Sequence, residues 1–335
     1  IIIMKNHTKF INIPTGNFSI ALVVVMLFVS ISTMAQGDGA RFYWKGIMGT
    51  NAIPVITTSM GGNSNPFDPS NTVIPGSNIE TTMTMAAYAK MLPLFKRSAI
   101  VSVLMPMGRI SSDVSINGLN YNTTARGYGD PMLLLGVNLI GPKPIMNLPD
   151  MLRYEPKFSL DVIASVAVPI GEYDNSVPVN LGQNRWYGRI GTPIVWQIGP
   201  WVPGKRTTLE FLPAVWMFTD NTDFVGKTIE TEPMFQLEGH LTHDFMEHFW
   251  GSLDVISYSG GKATIDGVEG SQLNNVGIGG TLGYKINDNM QLNISYSSTV
   301  DDRKSTDLQM DGFRFTLIFG WHSLVEGMNR LSGNH

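Results

Sequence analysis

The sequence has no cysteine and few charged residues. None of its 335 residues is Cys, which excludes disulfide bonds, thiolate nucleophiles and cysteine-based metal sites. Asp, Glu, Lys and Arg make up 15% of the chain, whereas soluble domains contain about 25%. Because the hydrophobic content of 43% is ordinary, the deficit of charge indicates that part of the protein surface is apolar.

A long apolar run occurs only near the N-terminus. Lys5 and Lys9 precede the run 20–31, and a small-x-Ala signal follows at Ala35, a pattern typical of a secretory signal peptide. We therefore expect export through the Sec pathway, with cleavage near Ala35/Gln36.

The remaining residues, 36–335, contain no apolar run long enough for a membrane helix. The best candidate, 132–140, is less than half of the roughly 20 residues that a spanning helix needs. Lys5 and Lys9 are the only charged residues before position 36, so 36–335 has 21 basic and 27 acidic residues. This net charge of −6 argues against a nucleic-acid partner. The exported chain is expected to be soluble or a membrane β-barrel.

Apolar and polar residues alternate with a period of two near the C-terminus. Over 313–321 the odd positions are Phe, Phe, Leu, Phe and Trp, and the even positions are largely small or polar. The same alternation occupies 275–286 and 291–297, which a tight turn at 287–289 joins. This period is typical of β-strands, so these segments predict three consecutive antiparallel strands.

Extending this pattern along the chain predicts twelve strands. Short and long polar connections alternate between them, as at 93–97 and 51–78, which is typical of outer-membrane barrels. The long, proline-rich link 141–157 is the exception, and Pro193 and Pro213 fall inside two predicted strands. The predicted strands lie near 40–50, 79–92, 98–107, 128–140, 158–170, 185–198, 207–219, 230–243, 249–258, 272–286, 290–299 and 312–321.

The predicted fold class is all-β: a transmembrane antiparallel up-and-down β-barrel of about 12 strands after a cleaved signal peptide. Residues 1–35 are expected to be upstream residues plus the signal peptide, 36–321 the outer-membrane β-barrel, and 322–335 a C-terminal tail. No N-terminal plug domain is expected, because the first strand would begin within ten residues of the cleavage site.

Aromatic residues recur near the ends of the predicted strands, which predicts girdles at the two membrane interfaces. A general preference of aromatic residues for strands is the alternative explanation. The aromatic positions are Phe42, Tyr43, Trp44, Trp186, Tyr187, Trp196, Trp201, Trp216, Phe249, Trp250 and Trp321.

Two segments also resemble a known family. One is 126–131 (RGYGDP), and the other is 169–173 (PIGEY) followed by 179–186 (VNLGQNRW). They resemble the outer-membrane family named for the meta-cleavage pathway of phenol degradation, over roughly 40–321. The resemblance implies an outer-membrane barrel that admits small hydrophobic or aromatic compounds, without ring-cleavage chemistry. The tail after Trp321 is a departure, because outer-membrane proteins commonly end on an aromatic residue that the assembly machinery recognises.

The residues of these motifs predict a structured rim at the mouth of the barrel. Glycine permits backbone conformations that a side chain forbids, and an aspartate at a strand end can accept hydrogen bonds from neighbouring amides. A simple turn is the alternative, and 180–185 could instead fold inward and constrict the pore. The loop-rim or pore candidates are Arg126, Gly127, Gly129, Asp130, Asn180, Asn184 and Arg185.

Charged residues on the polar faces of the predicted strands are expected to point into the barrel. Exposing Arg or Lys to the lipid midplane would cost about 2–4 kcal/mol, so the polar face must be the inside. These charges either pair with one another across the lumen or line a wet path, and both remain open. The lumen candidates are Asp161, Arg189, Glu210, Glu230, Glu232, Glu238, His240, Asp254, Lys285 and Arg314.

No catalytic, cofactor or metal site is predicted. Imidazoles and carboxylates crowd into 238–248, but alternation turns His243 outward and leaves 244–248 to a turn. The glycine-rich 277–283 lies within a strand, unlike a nucleotide-binding loop, which joins a strand to a helix.

The leading hypothesis is a monomeric barrel in the outer membrane of a Gram-negative bacterium that passively admits small hydrophobic or aromatic compounds. Its expected partners are the solute, outer-membrane lipid, lipopolysaccharide and the barrel-assembly machinery. A structural or adhesive barrel with a closed lumen is the alternative. An outer-membrane lipid hydrolase is disfavoured because His243, the one plausible wall histidine, has no G-x-S-x-G motif to accompany it. A soluble β-sandwich is disfavoured by the greasy face of 313–321.

Overall fold

The computed structural model of the chain describes residues 37–116, 119–300 and 304–323. The predicted signal peptide and positions 324–335 of the predicted tail lie outside these ranges. Within them, no helix has the length and apolar character needed to cross a membrane.

The described residues form strands almost throughout, with one short helix. The helix α1 is Leu148–Leu152. The strands are β1 Asn51–Gly62, β2 Asn78–Leu94, β3 Arg97–Ile116, β4 Leu119–Tyr128, β5 Met132–Ile140, β6 Phe158–Ala167, β7 Tyr187–Gly191, β8 Ile194–Gln197, β9 Thr207–Phe218, β10 Asn221–Phe224, β11 Lys227–Thr231, β12 Met234–Asp244, β13 Phe249–Gly260, β14 Ala263–Ile265, β15 Val268–Glu269, β16 Leu273–Lys285, β17 Met290–Val300 and β18 Met310–Trp321.

Twelve wall strands close into an antiparallel barrel. Around the wall the order is β1, β2, β3, β5, β6, β7 with β8, β9, β12, β13, β16, β17 and β18. The first and last strands pair along their length, from Asn51 opposite Trp321 to Gly62 opposite Met310, so no sheet edge is left in the wall. The predicted fold class and strand number are confirmed.

The two faces of the wall differ as the alternation predicts. Phe313, Phe315 and Phe319 are 52%, 46% and 43% exposed on the outer face of β18. The lumen face of the wall is polar in the half of the barrel near the short connection 245–248, which we call the lower half, and Glu210 and Glu238 are buried there. This arrangement places the apolar face toward lipid and the charged face toward the interior.

The prediction of a first strand at 40–50 is wrong. The first wall strand is β1, which begins at Asn51 within the segment predicted to be a long outer loop. The consecutive aromatic residues Phe42, Tyr43 and Trp44 cannot alternate between two faces, and this segment lies inside the lumen instead. The girdle prediction fails there too, and also at Trp216 and Trp250, which are buried.

Proline explains one interruption of the wall. The strand predicted at 185–198 is divided into β7 and β8 by Thr192 and Pro193. Pro213, in the middle of β9, lies beside this interruption, where Thr192 donates its backbone N–H to the Pro213 carbonyl at 2.9 Å. Because Pro213 has no N–H, it cannot donate to the neighbouring strand, and this position coincides with the interruption between β7 and β8.

Apart from the link 141–157, the connections are shorter at one end of the barrel than at the other. The long end carries a small four-stranded sheet of β10, β11, β14 and β15. Glu230 and Glu232 belong to this outer region and are exposed, so their prediction as lumen residues is wrong. At the opposite end, the irregular link 141–157 contains α1, and Ile145 pairs with Ile47 just before β1.

Candidate functional site

The lower half of the lumen contains residues 37–45, which we call the N-terminal plug. Its backbone is held by two glutamates of the wall. Glu238 accepts hydrogen bonds from the backbone N–H groups of Asp38 and Gly39 at 3.1 and 2.9 Å. Glu210 accepts from the backbone N–H of Arg41 at 2.8 Å. The sequence predicted no N-terminal plug domain and did not predict this segment, which is short and not a domain.

Side chains of the plug pair with wall charges of opposite sign. The Arg189 Nη2 atom lies 2.7 Å from Asp38 Oδ2, and Lys45 forms an ion pair with Asp161. Arg314 donates to the Gly37 carbonyl at 2.7 Å. These contacts join the plug to β6, β7 and β18, so the plug contacts opposite sides of the barrel.

A second charged group lies in the lumen wall beside the plug. His240 contacts Asp254 through Nδ1 at 2.6 Å and Glu238 through Nε2 at 2.9 Å. Thr281 donates to the other Asp254 oxygen at 2.7 Å. With a carboxylate on each ring nitrogen, the imidazole can donate both of its N–H groups, as a protonated histidine does. The group links β12, β13 and β16 and fixes Glu238 in position to accept the plug backbone.

The outer half of the lumen is apolar. Tyr187, Trp216, Met234, Ile256 and Tyr258 are all buried and pack together there. The Trp216 indole N–H donates to Gln236 at 2.6 Å, so the aromatic ring is held by a polar partner on the next strand. Val73, from the connection between β1 and β2, packs against this cluster. This apolar cluster differs from the polar lining of the water-filled interior of porins.

Asp130 fastens the outer connections, as the motif predicts. It lies between β4 and β5 and accepts hydrogen bonds from the backbone N–H groups of Gly171 and Gln183, both at 2.8 Å. Burial raises the pKa of the Asp130 carboxyl, against the opposite effect of these two hydrogen bonds. Gly127 and Gly129 lie where a side chain would be crowded. An added Cβ would lie 2.1 Å from the Glu172 carboxyl group at Gly127 and 2.9 Å from the Phe67 ring at Gly129.

The segment 180–185 folds inward. Arg185 is buried and donates from Nη2 to both carboxylate oxygens of Asp68, at 3.2 and 3.0 Å, and from Nη1 to Thr231 at 2.7 Å. The Asn180 carbonyl accepts from the Asn65 side chain at 2.7 Å. These contacts tie three outer connections together above the apolar cluster, so Arg185 is a paired charge of the outer vestibule.

Replacing Arg185 with alanine should loosen this outer vestibule. The change leaves Asp68 without its cation, and breaking a buried ion pair of this kind typically costs about 3–5 kcal/mol. The thermal unfolding midpoint should fall, and limited proteolysis should cut the connections first. Arg126→Ala is the matched control, because Arg126 is an exposed arginine of the same rim. Equal effects of the two variants would contradict this role of Arg185.

The other candidates divide between lumen and rim. Lys285 has the inward alternation but lies at the short-loop edge, where it donates to Asp288 at 2.7 Å and this hydrogen bond lowers the pKa of the Asp288 carboxyl. Arg126 is exposed, and Asn184 donates to Asn221 in the outer region at 3.0 Å. The lumen candidates that lie at or beside the plug are Asp161, Arg189, Glu210, Glu238, His240, Asp254 and Arg314.

Several lumen residues lie outside the predicted set. Asp244 was assigned to a turn, yet it ends β12 with its side chain inward, 2.6 Å from Arg41. Extending the alternation of Glu238 and His240 by four residues would have found it. Arg41 and Lys45 carried no such signal, because a segment that crosses the lumen has no period of two.

The described residues contain no group of three or more His, Cys, Asp or Glu side chains that could hold a metal ion. His243 faces outward, as predicted, and its Nδ1 lies 2.8 Å from the Thr207 hydroxyl.

The closed wall, outward apolar face and charged interior define a β-barrel of the outer-membrane type. A family model described as "MetA-pathway of phenol degradation" matches residues 62–317, most of the chain. The protein belongs to this family, whose description names a pathway and not an activity. A search of curated proteins finds no match.

Comparison with solved structures finds outer-membrane barrels similar to this chain. The COG4313 outer membrane channel from Pseudomonas putida F1 has a TM-score of 0.64 and 15% sequence identity, over 85% of this chain and 99% of that chain. The translocator domain of autotransporter NalP from Neisseria meningitidis has a TM-score of 0.46 and 11% identity, over 92% and 97% of the two chains. The first likeness supports the architecture; at this identity it shows the fold alone.

Proposed function

We propose that this barrel passively admits small hydrophobic or aromatic compounds across the outer membrane of a Gram-negative bacterium. The observation that carries the proposal is the apolar outer half of the lumen, formed by Tyr187, Trp216, Met234, Ile256 and Tyr258. A pathway for water and ions is usually lined by polar side chains, whereas apolar solutes are stabilised by aromatic and aliphatic contacts. The family and the likeness to an outer membrane channel support the same reading.

The proposed path has three stages. A solute enters the vestibule closed by Arg185 and Asp68, binds among the apolar side chains, and leaves past the N-terminal plug. The first stage needs a movement of the outer loops and the last a movement of the plug, and no covalent step is needed. The mature protein is proposed to begin near Gln36 after Sec-dependent export, to be assembled by the barrel-assembly machinery, and to act as a monomer surrounded by lipid and lipopolysaccharide.

A structural or adhesive barrel with a permanently closed lumen is the second candidate. The observation that favours it is the filling of the lumen. The plug pairs with the wall in the lower half, and the apolar cluster packs in the outer half. Both functions predict a low resting conductance, so conductance of the wild type does not separate them. Uptake of an aromatic solute does.

The decisive measurement is uptake of radiolabelled phenol or toluene by cells whose outer membrane carries the protein. Uptake should exceed that of cells with the empty vector, and Trp216→Ala should lower it by roughly 2- to 10-fold, equivalent to the ~0.5–1.5 kcal/mol of an aromatic contact. Trp196→Ala is the matched control, because Trp196 is 52% exposed on the outer face. Uptake equal to that of the empty vector would favour the closed structural barrel.

A further inference from the structure

Arg41 of the N-terminal plug occupies a cation site in the lower lumen, although its buried Nη2 has no hydrogen-bond partner among the described residues. Its Nη1 lies 2.6 Å from an Asp244 carboxylate oxygen, and its Nε donates to the Thr242 hydroxyl at 3.2 Å. Its guanidinium carbon lies 4.2 Å from the ring centroids of both Trp250 and Trp44. A charge-assisted hydrogen bond and stacked aromatic rings are the contacts that proteins use to recognise guanidinium groups.

Most of this site belongs to the wall and not to the plug. Thr242 and Asp244 extend from β12, Trp250 from β13 and Glu210 from β9, and all four are buried. Thr208, also on β9, donates to Glu210 at 2.7 Å and shares a hydrogen bond with Thr242 at 2.8 Å. The wall therefore holds the site in shape through contacts that do not involve Arg41.

Withdrawal of the plug would leave this site in need of a cation. Glu210 would lose the N–H donors of Arg41 and Trp44, at 2.8 and 2.7 Å. Asp244 would keep only Arg206, whose Nε lies 3.8 Å away, and the backbone N–H of Gly204 at 3.2 Å. Two buried carboxylates short of donors favour a positively charged replacement, since unpaired buried charges are costly.

We propose that Glu210, Thr242, Asp244 and Trp250 form a lumen site for organic cations that carry a guanidinium or primary ammonium group, and that Arg41 is its built-in ligand. The wall supplies the charge, the hydroxyl acceptor and one aromatic face. A solute of this class would compete with Arg41 and displace the plug. This inference rests on the proposed function for its physiological meaning, because only a channel has a use for a plug that a solute displaces.

The test measures binding and not transport. The barrel lacking residues 37–45 is refolded in detergent and titrated with a dye-labelled peptide of that sequence, GDGARFYWK, using fluorescence anisotropy. The peptide with citrulline in place of arginine should bind about tenfold or more weakly, because it keeps the shape and loses the charge. In a barrel with Asp244→Asn that difference should largely disappear. Equal affinities of the two peptides for the unaltered wall would overturn the proposal.

A second variant covers a deletion that fails to refold. In the full chain, Arg41→Ala empties the site while the rest of the plug remains. Millimolar argininamide should then raise the thermal unfolding midpoint of this variant, and the uncharged citrulline amide should not. Absence of a selective shift would contradict the proposal. If the barrel bound the cation but the wild type took up no aromatic solute, the proposed channel would be refuted and the cation site supported. If the wild type took up the solute but showed no selectivity for the cation, the cation site would be refuted and the channel supported.

Discussion

Deleting residues 37–45 should raise the single-channel conductance of the barrel by about tenfold or more, since each ~1.4 kcal/mol removed from a barrier is worth a factor of ten. The plug lies in the lower lumen, held by Glu210, Glu238 and Asp161, so its removal replaces paired peptide groups with water. The wall itself should remain folded, because the β1–β18 pairing that closes it does not involve the plug. Planar-bilayer recording of the refolded variant measures the change.

The controls separate opening from unfolding. Heat-modifiable migration in gel electrophoresis confirms a folded barrel before recording. Lys45→Ala, which removes the ion pair with Asp161, should give partial opening, whereas Lys143→Ala, at an exposed lysine of the link 141–157, should leave conductance unchanged. A folded deletion variant with wild-type conductance would show that the apolar cluster, and not the plug, is the barrier.

Gly62→Ala should severely impair barrel closure. A Cβ on Gly62 would lie 1.9 Å from the Gln309 carbonyl oxygen and 2.8 Å from the Met310 Cα, both backbone atoms at the start of β18. Backbone cannot rotate away as a side chain can, so the cost should reach or exceed the ~1–3 kcal/mol typical of overpacking. The urea midpoint of the barrel in lipid vesicles should fall accordingly.

The neighbouring glycine provides the matched control. At Gly61 the closest atom to an added Cβ is the Ile79 carbonyl oxygen at 4.0 Å. Gly61→Ala should therefore change the urea midpoint little, although it adds the same methyl group to the same strand. Equal urea midpoints of the two variants would contradict the close approach of β1 and β18 at Gly62.

Much of the fold was predictable because wall strands have a local signature. In β18, Phe313, Phe315 and Phe319 alternate with Arg314 and Thr316, and lipid on one side and lumen on the other enforce that period. The same reasoning placed Arg189, Glu210 and Glu238 inside. It failed at Glu230 and Glu232, where a strand pattern continues into the outer sheet beyond the wall.

The candidate site was predictable only in part, because many of its contacts join residues that are far apart in the sequence. Asp130 was found because its glycine-rich setting is local. Arg41 was not predicted, because its partner Asp244 is far away in the sequence. No local sequence pattern indicates that the two residues meet. The three consecutive aromatic residues beginning at Phe42 were mistaken for part of a strand, since composition alone favours that assignment.

By itself, the sequence determined a closed antiparallel barrel: the two-residue period, the low charge and the turn residues allow few other folds. Only the tertiary structure decided which groups occupy the lumen. The alternation of Asp161 and Glu238 says that they face inward, but not which groups meet them there. That depends on where the plug enters the barrel, a matter of long-range packing and charge pairing that no local pattern encodes.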